Sequence, residues 1–131
     1  MKQNENNIII AKFMGFQKTI IGWYDYEEKL IGIEKDNTFD ILKFNTDWNW
    51  LITVVNEIEQ NYKYFGKELQ LKITKYSVSW QTLTNEDGIV ISPVVFNKYG
   101  TYAGTEKLEA IYESCIDFIK WFNKNNNYEL H

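Results

Sequence analysis

Arginine is absent from this 131-residue chain: all 14 positive side chains are Lys. The guanidinium fork is the usual device for clamping phosphate and reading guanine, so its absence disfavours a sequence-specific DNA binder. The formal charge of -4, with Lys scattered among Asp and Glu, points the same way. Non-specific nucleic-acid affinity needs clustered cations. Histidine is nearly absent too, occurring only as the terminal His131. With it go the commonest general base, His-based metal sites and every Ser-His or Cys-His nucleophile pair. A lone Cys, at 115, forbids an intrachain disulfide and gives no reason to look outside a reducing compartment. No apolar run approaches the roughly 20 residues of a membrane span, and Met1 to Asn7 is too polar for a signal peptide. The expectation is a soluble, cytoplasmic protein with no membrane partner, no metal and no cofactor.

What the chain does hold is aromatic. Phe, Trp and Tyr make up 17% of it, while Ala occurs only at 11, 103 and 110, a profile that follows A/T-rich codons. Such rings build cores where small aliphatics are scarce, and they also supply the anchors of ligand pockets and partner surfaces. Length and the lack of any linker or repeat suggest a single domain over 1–131.

Along the chain, the β-branched and aromatic run Ile8 to Phe13 reads as a strand ended by Gly15. Thr19 to Tyr24 and Lys29 to Glu34 read as two more, joined through the acidic turn Asp25 to Glu28. A helix follows over about 46–64, because Trp48, Leu51, Ile52, Val55, Ile58 and Tyr62 recur at three- and four-residue steps. Asn45 or Thr46 would cap it, Asp47 would complement its dipole and Gly66 would stop it. From Glu68 the period falls to two. Leu69, Leu71 and Ile73 share one face, then Tyr76, Val78 and Trp80 the other parity, which implies a bulge or bend near Thr74 and Lys75. Ile89 to Phe96 is a further strand. A second helix, about 105–124, carries a wide apolar stripe that Phe118 and Trp121 extend. The fold class is α+β, a mostly antiparallel sheet with two amphipathic helices packed on one face.

Residues with chemistry are few. Cys115 sits on the apolar face of the last helix and reads as a small buried hydrophobe. Asp25, Glu27 and Glu28 could hold a cation but read more simply as a solvated turn. Glu57 and Glu59, and the ladder Glu106, Glu109 and Glu113, read as water-facing. The best ligand-binding candidate is Lys98, Tyr99, Gly100, Tyr102, Gly104 and Thr105, a small-residue loop entering a helix N-terminus. Free N–H groups there favour anions, and two Tyr rings offer stacking faces. Neither a P-loop ending nor a dinucleotide glycine spacing is present. Trp48 and Trp50 fall on different faces of their helix; with Trp48 in the stripe, Trp50 and also Trp121 become candidates for a partner interface.

Three blocks carry a resemblance: Ile8-Ile9-Ile10-Ala11-Lys12-Phe13-Met14-Gly15-Phe16, Asp47-Trp48-Asn49-Trp50-Leu51 through Glu59, and Leu108-Glu109-Ala110-Ile111-Tyr112 through Asn123. In that order they resemble small uncharacterised proteins of phages and prophage regions of Bacteroidota. The sequence departs from their pattern at Asn49 and at Ile52-Thr53. The resemblance implies a phage-type origin and no catalytic residue. It suggests a non-enzymatic binding protein inside the host cell, one possibility being a counter-defence sponge for a nucleotide-derived signalling molecule. The alternatives are a protein-protein inhibitor of a host protein acting through exposed aromatics, and a carboxylate-dependent hydrolase. The expected partner is a small nucleotide-like ligand or a host protein, with a homo-oligomer as a further possibility.

Overall fold

A computed structural model describes residues 2–19, 21–33, 41–74, 77–83, 90–99 and 105–129, with backbone alone at 2–4, 33, 83, 90–99, 105–106 and 126–129. These residues form an α+β fold: α1 (Lys2–Phe13), β1 (Gln17–Lys18), β2 (Gly22–Tyr24), β3 (Leu30–Ile33), α2 (Trp48–Asn61), β4 (Lys63–Tyr64), β5 (Lys67–Ile73), β6 (Ser77–Leu83), β7 (Val90–Tyr99) and α3 (Thr105–Glu129). Instead of one sheet there are two, ordered β1-β2-β3 and β4-β5-β6-β7, both antiparallel. The chain divides into two compact units, Met1–Leu51 and Ile52–His131, and the boundary falls within α2.

In the first unit, the strand expected over Ile8 to Phe13 is instead the second half of helix α1. Its buried face is Asn7, Ile10 and Ala11, at three- and four-residue spacing and each 0% exposed. The Asn7 amide Nδ2 donates to the Leu42 carbonyl at 3.0 Å and to Asn45 Oδ1 at 2.9 Å. Burial of this polar anchor outweighs the strand preference of three isoleucines, which is largely a packing preference in any case. Gly15 does act as a stop, but of a helix. With φ at 84° it lets the Phe16 N–H reach the Ala11 carbonyl at 2.8 Å while its own N–H reaches Lys12 at 3.1 Å, the paired bonds of a Schellman ending.

The β2–β3 turn is held by Asp25, whose Oδ1 accepts from the N–H groups of Glu27 and Lys29, both at 2.9 Å. Its carboxylate is committed to the turn. On β3, a Cβ added to Gly32 would lie 2.6 to 2.8 Å from three side-chain carbons of Ile41. We therefore expect Gly32→Ala to cost about 1–3 kcal/mol by overpacking, read as a lower midpoint in a thermal melt.

Helix α2 starts at Trp48, not 46, because Asp47 is the cap: its Oδ1 accepts from the Asn49 N–H at 2.8 Å. Leu51, Val54, Val55 and Ile58 are its buried stripe. Trp48 does not belong to that stripe, being 43% exposed. Trp50 packs instead, half-buried, with its ring 6.2 Å from Phe16 and 5.1 Å from Phe44. Period alone does not say whether the core reaches the first turn of a helix, and here it does so through the other Trp.

In the second unit, the parity change near Thr74 is a hairpin, not a bulge. Ile73 pairs with Val78 and Leu71 with Trp80, so the odd apolar set of β5 and the even set of β6 lie on one face. The Thr74 N–H donates to the Ser77 carbonyl at 2.8 Å where the chain reverses. Strand β6 is central and buried through consecutive residues Val78 to Thr82, hence on both faces. Trp80 donates Nε1–H to the Ser114 carbonyl at 3.2 Å, which docks α3 on the Trp80 side. Glu59 does not face water either: its Oε2 accepts from the Leu71 N–H of β5 at 2.9 Å. Gly66 lies at the tip of the β4–β5 hairpin, past the end of α2 at Asn61. Helix α3 extends beyond the expected 124 to Glu129.

Candidate functional site

The β4–β5 hairpin has a two-residue loop, Phe65-Gly66, between the paired Tyr64 and Lys67. Both loop residues have positive φ, 49° for Phe65 and 78° for Gly66, which is the type I′ geometry whose twist matches the flanking strands. Asn-Gly is the usual solution, because Asn tolerates the left-handed region and a bulky residue does not. Phe65 is therefore held in an unfavourable backbone conformation, and its ring is 73% exposed.

That ring heads a continuous aromatic array. Phe65 lies 4.6 Å from Tyr64 and 5.7 Å from Trp121, both edge-on, and Tyr64 lies 4.7 Å from Trp121. Trp121 is 5.7 Å from Phe118, which is 0% exposed and also meets Trp80 at 6.2 Å. Tyr62 and Phe122 complete the array, with rings 4.7 Å apart at 90°. The array runs from the buried Trp80 on β6 outward to a hairpin tip. Tyr64 and Trp121 are half-buried, so the outer end offers one free ring on a supported platform. Trp121 is among the residues expected from sequence and Phe65 is not: Gly66 reads there as a helix stop, and the signal for the tip is an X-Gly pair flanked by β-type residues.

The other candidates fall differently. Trp50 is half-buried, with its ring against Phe16 and Phe44. Of the ligand-binding candidates, Lys98 and Tyr99 end β7, in register with Val78 and Ser77, but their side chains lie outside the described residues. Gly100, Tyr102, Gly104 and the Thr105 side chain lie outside them as well. Among the described residues, no three of His, Cys, Asp and Glu gather as metal ligands would.

Cys115 is fully buried, and burial pushes its thiol well above the usual range, with the Glu59 carboxylate adding to the effect. Burial likewise raises the Tyr112 phenol. Both groups stay protonated in the fold after their unfolded counterparts ionise. The unfolded state then binds fewer protons, so stability is full below the unfolded values and falls as pH rises past about 8.5 for the thiol and about 10 for the phenol. We expect denaturant melts to show this loss on the alkaline side, with Cys115→Ala removing its earlier portion. Native Cys115 should resist thiol reagents at neutral pH.

No family model and no solved structure matches the chain. Among curated proteins, it is 28% identical over 109 residues to the HTH-type transcriptional regulator rot of Staphylococcus aureus (strain COL), a match covering 82% of this chain. The chain spans about 60% of that protein's length. No helix among the described residues is long and apolar enough to cross a membrane.

Proposed function

We propose that this chain is a non-enzymatic, phage-type binding protein of the bacterial cytoplasm that grips a host protein through the Phe65 hairpin and Trp121. One observation carries the reading. Phe65 sits in backbone geometry that costs on the order of 1–3 kcal/mol for a side chain of its kind, while its ring gains little from burial. Asn or Gly would build the same turn without that cost, and the two edge-on contacts of so exposed a ring offset it only in part, which supports a use for the ring outside the fold. An exposed aromatic on a rigid, half-buried aromatic base is the pattern of an interface anchor.

Replacing Phe65 with the photo-crosslinker p-benzoylphenylalanine tests this, since the substitute keeps an aromatic ring at the tip. Irradiated in a Bacteroidota host lysate, it should join one discrete host protein. The same probe at Ile21, which is 61% exposed in the other unit, should not. A smear from both positions, or nothing from position 65, would count against the reading.

The sponge reading rests on the loop from Lys98 to Thr105 and on sequence alone; its check is a thermal-shift screen with linear and cyclic nucleotides. The name of the Staphylococcus aureus relative suggests regulation of transcription. Net charge and the lack of Arg argue against sequence-specific DNA as this chain's partner.

A further inference from the structure

The charges around the aromatic tip define the chemistry of its partner, given the partner-binding reading above on which the following rests. Lys67 is the register partner of Tyr64, so both side chains leave the hairpin on one side. Lys124 stands one turn beyond Trp121 on α3, on the same side of the helix. Both lysines are exposed. Of the nearby acids, one points to the other side and one is less exposed. Glu68 is directly opposite Lys63 on the other side of the hairpin, and Asp117, one turn before Trp121, is half-buried. In a chain of formal charge -4, the exposed charges that share a side with Tyr64 and with Trp121 are thus the cations Lys67 and Lys124.

We infer that this patch takes an acidic polypeptide segment with an apolar anchor residue. The anchor packs against Phe65 and the face of Trp121, and the carboxylates meet Lys67 and Lys124. Rim charges of this kind set approach rate and salt dependence, while the central rings supply the affinity. Ring geometry favours polypeptide over single-stranded nucleic acid. Phe65 meets Tyr64 at 79° and Trp121 at 68°, so the rings form an angular seat and not the open, parallel platform on which successive bases stack.

The test is selection of a random displayed-peptide library on the intact chain, with Phe65→Asn as the counter-selection bait. The variant keeps the turn type, and a circular-dichroism melt verifies its fold. We expect peptides enriched in Asp and Glu around Leu, Phe or Trp that bind wild type at least tenfold more tightly than Phe65→Asn. They should lose a further tenfold with Lys67→Glu and Lys124→Glu combined, and weaken as salt rises. A pool that depends on Phe65 but is neutral or basic overturns the acidic partner and leaves the patch reading standing. Absence of any Phe65-dependent pool overturns both. Tighter, Phe65-dependent binding to oligo-dT or to phosphatidylserine vesicles than to the best peptide overturns the polypeptide assignment. Phe65-dependent self-association in sedimentation does the same in favour of a second copy of the chain.

Discussion

Phe65→Asn should raise the thermal midpoint by about 2 °C, the equivalent of roughly 0.5 kcal/mol in a domain of this size, and at the same time abolish partner binding. The gain comes from backbone strain. A non-glycine residue in the left-handed region costs on the order of 1–2 kcal/mol, and Asn pays least of the residues with a side chain because it bonds locally there. Against this stands the loss of two edge-on ring contacts, to Tyr64 and Trp121. Such pairs contribute about 0.5–1.5 kcal/mol when well desolvated, but a ring 73% exposed realises only part of that. Gly66 supplies the control. A Cβ there meets nothing within 4 Å, yet φ is 78°, so its requirement for glycine is purely conformational. Opposite signs for stability and binding at position 65 distinguish an interface residue from a structural one.

Phe118→Ala should lower stability by about 3–5 kcal/mol, the range for emptying a buried aromatic site, and shift the melting midpoint by roughly 10–20 °C. Phe118 is 0% exposed and meets Tyr62, Trp80, Trp121 and Phe122. It joins the core to the aromatic tip. Deleting it leaves a cavity beneath Trp121 and frees that ring to reorient, so binding should fall even at temperatures where the variant remains folded. Phe118→Leu, which keeps more of the volume, should cost less than Phe118→Ala and retain more binding.

Much of this architecture is legible in the residues. Leu51, Val55 and Ile58 mark α2 and the stripe from Ile111 through Ile119 marks α3, because in both burial follows the helical period, and alternation from Leu69 marks β5 although Ile73 at its end is exposed. The α+β class follows from those elements. Misreadings arose where a tertiary contact overrode local preference. Ile8 to Ile10 look like a strand, and nothing local reveals that Asn7 will bond Leu42 and Asn45 and hold the segment as a helix. The pairing of Ile73 with Val78 across a hairpin leaves the same parity change as a bulge, so only pairing separates them. Of the site, Trp121 was legible as an aromatic beyond the stripe. Phe65 was not, because its role depends on a backbone conformation that its own side chain disfavours.

The central claim is that the Phe65 tip binds a partner, and the most direct measurement is quantitative capture from host lysate by immobilised wild-type and Phe65→Asn chains, with both melts recorded on the same preparations. The account predicts a protein retained by wild type, reduced at least tenfold by the variant, and a variant that melts no lower than wild type. Equal capture by the two chains, or a variant that loses capture only because it melts several degrees lower, would contradict it.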